Sequence, residues 1–498
     1  MKYYLGLDVG TTLITAVAAD EGWRVAAKAS RAHRQIYPRP GWVEQDPLEL
    51  YENCLAAVQD VLARVGASGG DVAALGLDHQ GETCLLWDAE TGLPLYNAVV
   101  WQDRRTAAEA EALDASCGDE IRDICGLRPD AYYSATKLRW LLENVPAARE
   151  SLARGTLRLG TLNTWLFWKF SGGRCYRTDP GSAGCMMLMD LHTLGWSERL
   201  CELTGVPMEL LPELCDNDAR FGETEPDSFL GLRIPLMGSV ADSPAGIIGG
   251  GCAGEGILKT SYGTGSFMTL QTGEKILLPE GGLVSDCMWR IGGRTAYRMR
   301  GACYTAGAAV EWMRRGMEWL QSPEESETLA LSVPDTGGVY FVPALSGLAT
   351  PFWDPYARGT FVGITGGTTR AHMVRAVLES LAYQVANCYA VMRRARGADS
   401  PAMRVDGGMV DNGFLMQFQA DLLGIPVEVP AEKETAAFGS ACLAGVATGA
   451  LPSPESVGRY APLRRVYEPR MSPERREEGM ARWLQAVERS RSWAKPCP

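Results

Sequence analysis

The chain has 498 residues, of which 46% are hydrophobic and 22% are charged, values typical of globular proteins. This length predicts two or more domains, because single hydrophobic cores stop growing at smaller sizes. The formal net charge of −12 argues against nucleic acid and against an anionic membrane as partners. No apolar run approaches the roughly 20 residues of a spanning helix.

Cysteine and histidine usage indicates neither disulfides nor a metal centre. The 14 cysteines include no C-x-x-C pair, and the four histidines show no metal-ligand spacing. The N-terminus has no signal-peptide pattern. The cysteines are therefore expected to be reduced thiols, and the sequence predicts a cytoplasmic protein.

The first predicted unit is a hairpin. A strand over Tyr3–Val9 leads into Gly10-Thr11-Thr12 and a second strand over Leu13–Ala18. A similar unit, strand, glycine–threonine turn and strand, returns over residues 258–270. Two such units half a chain apart suggest a duplicated architecture, with chance as the alternative because glycine–threonine turns are common.

Strands and helices alternate through the rest of the chain, which predicts α/β layers. The predicted elements are helix 50–65, strand 72–77, helices 106–113, 137–144 and 369–394, strand 403–405, and helices 413–423 and 473–487. Gly246–Gly256 is rich in glycines, which are expected to break regular structure there. We place the domain boundary in this segment.

The turn after the first strand has the residue types of a phosphate-binding hairpin. Gly10 allows backbone N–H groups to approach phosphate oxygens, and Thr11 and Thr12 add hydroxyl donors. Asp8, at the strand end, could hold a magnesium ion. An ordinary hairpin turn is the alternative interpretation.

Two further aspartates also follow predicted strands. Asp242 ends an apolar strand beside small residues, where it could accept a proton from a substrate hydroxyl or cap a helix. Asp406-Gly407-Gly408 could let a base or ribose lie against the backbone near a helix N-terminus. Turns of this kind also occur for structural reasons alone.

Polar and aromatic residues after other strands indicate a ligand crevice. Residues 79–83, His-Gln-Gly-Glu-Thr, follow a strand, the usual place of such residues in α/β sheets. Trp101 could form an aromatic wall, although a core role is the alternative. The chain has no Walker-type P-loop, protein-kinase motif set or G-x-S-x-G elbow. An ATP site would therefore use a different phosphate cradle.

Taken in order, these segments resemble the FGGY carbohydrate kinase family of the sugar kinase/actin superfamily, and glycerol kinases are the most similar branch. The resemblance runs from Leu5 to about Gly449. Its specific segments are residues 40–47, 87–92, 97–105, 132–140, 353–359 and 404–419.

The resemblance implies an α/β protein of two duplicated domains with the sugar kinase/actin (ribonuclease H-like) fold and a cleft between them. Residues 1–247 would form the N-terminal domain, with the sugar site and the catalytic base. Residues 248–498 would form the nucleotide-binding C-terminal domain. It implies ATP and Mg²⁺, and phosphorylation of a terminal hydroxyl of a small polyol or sugar. It also allows for a homo-oligomer.

The resemblance also assigns roles to single residues. Asp242 corresponds to the catalytic base, and Asp8 and Asp242 to the magnesium-associated carboxylates. The positions matching nucleotide and phosphate contacts are Asp8, Thr11, Thr12, Thr264, Gly307, Glu311, Gly408 and Asn412. The positions matching the substrate pocket are Gln80, Gly81, Glu82, Trp101, Tyr132, Asp242, Ser243 and Phe267.

Three positions depart from the pattern of glycerol kinases. Gly81 stands where they carry the arginine that binds glycerol hydroxyls, and Ser243 stands where they carry glutamine. Thr15 replaces a basic residue that commonly reaches the ATP phosphates. The small Gly81 and Ser243 are expected to enlarge the pocket. The alternatives to a glycerol-like kinase are a xylulose or other pentulose or tetritol kinase and, more remotely, a non-catalytic nucleotide-binding scaffold.

Overall fold

The computed structural model describes residues 2–279 and 281–495, and its two largest sheets are related in topology. The first, called here the N-terminal sheet, has six strands. In spatial order they are Arg220–Glu223, Pro235–Ala241, Val72–His79, Tyr3–Val9, Leu13–Ala19 and Val25–Ala32.

The second, the C-terminal sheet, has seven strands. In spatial order they are Val284–Ile291, Arg294–Cys303, Ser266–Gly273, Leu258–Tyr262, Met403–Asp406, Val427–Pro430 and Leu463–Tyr467.

The two sheets share one topology over six strands. In the N-terminal sheet, Tyr3–Val9 pairs antiparallel with the next strand in the chain and parallel with Val72–His79. In the C-terminal sheet, Leu258–Tyr262 has the same antiparallel and parallel neighbours. The remaining pairings repeat as well, ending in an antiparallel edge strand on the same side. The predicted duplication is therefore confirmed, and chance similarity of the two hairpins is excluded.

Smaller strand groups and the helices complete the structure. A four-stranded sheet contains Glu44–Gln45, Ala98–Val99, Cys84–Asp88 and Leu157–Thr161. Two strand pairs are Arg177–Thr178 with Glu213–Leu214 and Tyr340–Val342 with Thr360–Val362. The helices of the first half are Pro47–Val65, Ala107–Cys125, Ser134–Asn144, Pro146–Arg154, Leu162–Phe170, Pro180–Gly184, Glu198–Thr204 and Asp242–Gly249. Those of the second half are Gly307–Glu311, Glu325–Leu331, Arg370–Arg396, Gly413–Leu423, Thr435–Ala447 and Pro473–Ser490.

Local sequence signals explain where the helices begin and end, as the Pro47–Val65 helix illustrates. Asp46 caps its N-terminus by accepting a hydrogen bond from the Leu48 N–H, and Pro47 occupies the first turn. Gly66 ends it in the left-handed conformation. Leu50, with other apolar residues of the same face, is buried in a core with the N-terminal sheet.

Two helices, one from each half of the chain, pack closely through glycines. A Cβ atom at Gly249 would lie 2.0 Å from the carbonyl oxygen of Thr435, and one at Gly439 would lie 1.9 Å from that of Ala245. The glycine-rich segment from Gly246 was expected to break regular structure, but the helix continues to Gly249. The early glycines of this segment allow helix packing instead of a turn.

Within residues 2–279 and 281–495, no helix has both the length and the apolar character needed to cross a membrane. The 13 cysteines of the described range are free thiols, as the sequence predicted. Cys497 lies outside this range.

Candidate active site

Asp242 is the first residue of the Asp242–Gly249 helix and directly follows a central strand of the N-terminal sheet. Burial raises its pKa to about 6, and repulsion from Glu82 acts in the same direction. The Ser243 N–H, 2.6 Å from Oδ1, and the charges of two arginines oppose this rise. A carboxylate with a pKa near neutrality is suited to accept a proton from a hydroxyl group.

Asp8 and Asp78 form a second acidic group on neighbouring strands. They are in register on the parallel strands Tyr3–Val9 and Val72–His79. Burial raises the pKa of Asp8 to about 7; a hydrogen bond with Asp78 opposes the rise, and repulsion from Asp242 and Glu434 adds to it. Asp78 is fully buried and accepts a hydrogen bond from Ser440 of the C-terminal half. Asp78 was not among the predicted site residues.

Glutamine and tryptophan side chains support the turn Gly10-Thr11-Thr12, the predicted phosphate hairpin, by hydrogen bonds. The Thr11 carbonyl accepts hydrogen bonds from Gln45, at 2.8 Å, and from Gln35. The Thr11 hydroxyl accepts one from the Trp101 indole N–H at 2.9 Å. Thr12 is exposed at the tip. Of the two predicted phosphate contacts, Thr12 therefore faces open space, whereas the Thr11 hydroxyl is already bound by Trp101.

Two residues near this hairpin turn their side chains toward the protein. Gln80 is buried and donates to Gln45 at 2.7 Å, so it supports the hairpin. Thr15 is also buried, and its hydroxyl lies 3.0 Å from that of Ser30 on the next strand. Thr15 therefore stabilises the sheet. Its side chain does not take over the phosphate contact of the basic residue found at this position in glycerol kinases.

The predicted acceptor pocket combines aromatic rings from both halves of the chain. Trp101 packs edge-on against Tyr132, with ring centroids 5.6 Å apart, and against Phe267 of the C-terminal sheet, with centroids 6.5 Å apart. Phe267 is 47% exposed. Glu82 is 4% exposed and electrostatically close to both Asp242 and Tyr132. The carboxylates of Glu82 and Asp242 thus lie close to each other and to the Tyr132 ring.

The space beside Gly81 is smaller than the sequence suggested. A Cβ atom at Gly81 would meet the Sγ atom of Cys185 at 3.0 Å and the Cβ atom of Ala241 at 3.5 Å. Cys185 is buried. The absence of a side chain at Gly81 therefore leaves less free space than the volume of the absent arginine side chain suggests.

Two arginines and an aspartate of the C-terminal sheet reach this pocket and were missed by the sequence analysis. Arg298 pairs with Asp286, with Nε and Oδ1 2.5 Å apart, and its Nη1 lies 3.4 Å from the Ser243 hydroxyl. Arg300 lies 2.7 Å from Asp286 and donates to Glu82 at 3.2 Å. The alternating arginines in the otherwise apolar strand Arg294–Cys303 are the one signal that could have identified them.

A separate cavity of about 590 Å³ opens beside the second hairpin. It is lined by Thr264, Gly307 and Glu311, which the sequence had assigned to nucleotide contacts, together with Trp312 and Arg315. Gly307 belongs to a helix whose first N–H groups bond the hairpin carbonyls, including that of Thr264. The volume falls in the range of small-molecule sites.

Gly408 and Asn412 lie on the turn that follows the Met403–Asp406 strand. A Cβ atom at Gly408 would meet no atom within 4 Å, so this backbone faces open space. A Cβ atom at Gly307 would lie 4.0 Å from Met409, which places this turn at the cavity. The Asn412 side chain caps the next helix by accepting from Leu415 N–H.

The carboxylates at the end of the N-terminal sheet suit magnesium bound together with phosphate groups. Burial raises the pKa of Asp8 to about 7, and repulsion from Asp242 adds to this rise, so the two carboxyl groups are near enough to attract one cation. In the part of the chain that the structure describes, no three metal-binding side chains form a complete site. Magnesium usually takes one or two carboxylates and completes its shell with water and substrate phosphates, so these residues fit it.

Comparison with known proteins agrees with this geometry. Residues 3–249 match the model of the FGGY family of carbohydrate kinases, N-terminal domain, and residues 258–448 match that of the C-terminal domain. Glycerol kinase 2 of Thermotoga maritima is 44% identical over 99% of this chain and 100% of its own. The glycerol kinase of Symbiobacterium thermophilum is 46% identical over 99% of each chain.

Solved structures of carbohydrate kinases have the same fold as this chain. The crystal structure of Plasmodium falciparum glycerol kinase with ADP has a TM-score of 0.92 at 32% identity and covers 98% of each chain. A xylulose kinase from Brucella ovis has a TM-score of 0.85 at 25% identity, also over 98% of each chain. These matches confirm the two-domain fold and an ATP-dependent kinase. The chain belongs to the FGGY family of carbohydrate kinases.

Proposed function

We propose that this kinase transfers the γ-phosphoryl group of ATP to a terminal hydroxyl of glycerol or a neutral polyol of similar size. The observation that carries the proposal is the position of Asp242. This carboxylate, with its pKa near 6, lies electrostatically close to Glu82 and to Tyr132, which supports a role as the base. The glycerol kinases that this chain resembles over its full length support the same acceptor.

In the proposed reaction Asp242 accepts the proton of the acceptor hydroxyl while the oxygen of that hydroxyl forms a bond to the γ-phosphorus. The bond between that phosphorus and the bridging oxygen of ADP breaks, so the products are ADP and a phosphate ester. Glu82, Trp101, Tyr132 and Phe267 would hold the acceptor, since positioning is the main requirement of phosphoryl transfer.

The nucleotide would occupy the cavity at Thr264, Gly307 and Glu311, beside the turn that carries Gly408 and Asn412. Its phosphates would extend toward Thr11 and Thr12. Asp8 and Asp242 would hold magnesium, which offsets phosphate charge when bound.

We propose a division into residues 1–247, with the base and most of the acceptor pocket, and residues 248–498, with the nucleotide cavity. The acceptor pocket nevertheless takes Phe267 from the second part. Cytoplasmic location and a homo-oligomeric state stay predictions from the sequence.

A pentulose or tetritol kinase is the second candidate. It is supported by the glycine at position 81 and by the similarity to a xylulose kinase. The contact between Gly81 and Cys185 limits the added room and favours the smaller acceptor.

An ADP-release assay with glycerol, erythritol, xylitol, ribulose and xylulose separates these candidates. The expected result is the highest kcat/KM with glycerol. A higher value for a five-carbon ketose would favour the second candidate. ADP release that no polyol or sugar stimulates would favour a nucleotide-binding scaffold and contradict both.

A further inference from the structure

The guanidinium of Arg300 crosses from the C-terminal sheet to the acceptor pocket. Its Nη1 donates to Glu82 Oε1 at 3.2 Å, and its Nη2 lies 2.7 Å from Asp286 Oδ2. Glu82 belongs to the turn after the Val72–His79 strand of the N-terminal sheet. This ion pair therefore joins the two halves at the place where the acceptor would lie.

We propose that Arg300 binds the acceptor's hydroxyl groups together with Glu82, so that acceptor specificity depends on both halves of the chain. This inference rests on the proposed function. Position 81, next to Glu82, has no side chain to supply a cation. Arg300 places a guanidinium beside the same carboxylate from the opposite side of the site.

The hydrogen-bonding capacity of Arg300 is not used up by its neighbours. Its Nε is buried and has no hydrogen-bond partner within residues 2–279 and 281–495. The side chain as a whole is 17% exposed, whereas that of Arg298 is 1% exposed. Unpaired buried donors are unfavourable, and a ligand hydroxyl that accepts a hydrogen bond would satisfy this one.

Arg298 keeps the neighbouring charge in place. Its Nε lies 2.5 Å from Asp286 Oδ1 and its Nη2 3.3 Å from Asp286 Oδ2. Asp286 is 1% exposed, and its fixed carboxylate orients Arg300. Arg298 is thus a positioning residue, whereas Arg300 faces the acceptor.

The local charges favour a neutral acceptor over an acid. Arg298 and Arg300 face the carboxylates of Asp286 and Glu82, and the carboxylate of Asp242 lies close by. The pocket therefore carries no excess positive charge to attract an anion. A vicinal diol suits it, because one hydroxyl can donate to Glu82 while its neighbour accepts from Arg300.

The test compares steady-state kinetics of the full-length wild type, Arg300→Met and Arg300→Lys. Arg300→Met keeps most of the side-chain length and removes the guanidinium. We expect the KM for glycerol to rise roughly 10–100-fold, the range for losing a charged hydrogen bond. The KM for ATP should stay within about twofold, because Arg300 does not line the nucleotide cavity. Arg300→Lys should show a smaller rise, since the charge is kept but the planar fork is lost.

Arg290→Met is the matched control. Arg290 also pairs across the two halves, with Asp216 as its partner, but it lies outside the acceptor pocket. Loss of a cross-half ion pair alone should leave the KM for glycerol within about twofold of the wild type. If Arg300→Met does not fold, Arg300→Lys carries the same comparison.

Each outcome decides a separate point. An active wild type with an unchanged glycerol KM in both Arg300 variants would overturn the inference and leave the proposed function standing. An equal rise in the control Arg290→Met would also overturn it. A higher kcat/KM of the wild type for glycerate than for glycerol would contradict the neutral diol. A wild type without polyol-stimulated ADP release would remove both the proposed function and the inference.

Discussion

Asp8 and Asp78 lie in register on adjacent parallel strands, so that two carboxyl groups meet at the end of the N-terminal sheet. Burial raises the pKa of Asp78 well above its usual value, and repulsion from Asp8 adds to this rise. A carboxyl group whose pKa is raised on folding stabilises the fold at low pH. That contribution is lost as the pH rises toward the folded-state pKa, which for Asp8 is about 7.

Asp78→Asn should therefore stabilise the protein at pH 8. The amide cannot ionise, so it removes the free-energy cost of keeping a second carboxyl group buried beside Asp8, and it can still accept a hydrogen bond from Ser440. We expect the free energy of unfolding to rise by roughly 1–2 kcal/mol at pH 8, and the gain to disappear near pH 4, where both carboxyl groups of the wild type are protonated. Denaturant unfolding at the two pH values measures this.

Asp179→Asn is the control for this substitution. Asp179 is equally buried, but it accepts hydrogen bonds from Ser182, Ser239 and Asn217. Its replacement should destabilise the fold by roughly 2–4 kcal/mol. Equal loss of stability in both variants at pH 8 would show that the two aspartates at 8 and 78 do not repel each other.

The pH dependence of the reaction should follow Asp242. The base must be deprotonated to accept a proton, so kcat/KM for the acceptor should rise with pH through about 6, the pKa of Asp242. Glu82→Gln should lower the overall rate and also move this acidic limb to lower pH, because Glu82 repels the charged form. A profile that is flat between about pH 5 and pH 7 would contradict this role.

Neighbouring glycines of the Asp406-Gly407-Gly408 turn should respond differently to alanine. Gly407 has a φ of 94°, and a Cβ atom there would lie 2.3 Å from the Tyr262 carbonyl oxygen. Gly407→Ala should destabilise the fold by roughly 1–3 kcal/mol.

Gly408→Ala is the paired variant, because a Cβ atom there meets nothing within 4 Å. It should keep the wild-type melting temperature and raise the KM for ATP, since the new methyl group enters the space assigned to the nucleotide. An unchanged KM for ATP in Gly408→Ala would remove this turn from the nucleotide site.

The sequence predicted much of the fold because its signals are local. Strand Tyr3–Val9 and helix Gly413–Leu423 have the bounds that hydrophobic pattern and turn residues predicted. The helix predicted over 106–113 extends to Cys125, past a kink at Cys117 where the backbone leaves the helical conformation. The glycines at 246 and 249 predicted a break where they allow close helix packing, a tertiary cause that one sequence does not show.

The site was only partly predictable for the same reason. Asp8, Thr264 and Asp242 stand at strand ends or in turns, where residue type alone suggests chemistry. Arg298, Arg300 and Asp286 lie inside strands, and their role depends on which face the pleat turns toward the other half. That long-range arrangement also changes how Gly81 is interpreted. In the proposal above, Arg300 of the C-terminal sheet supplies the cation that position 81 lacks.

Acceptor-dependent ADP release with magnesium, ATP and glycerol, measured for the wild type and Asp242→Asn, tests both the kinase activity and the role of Asp242. We expect glycerol to stimulate ADP release by the wild type, and Asp242→Asn to lower kcat roughly 10²–10⁴-fold while keeping its folded state. A folded Asp242→Asn with near-normal turnover, or a wild type that glycerol and the other polyols and sugars do not stimulate, would contradict the account.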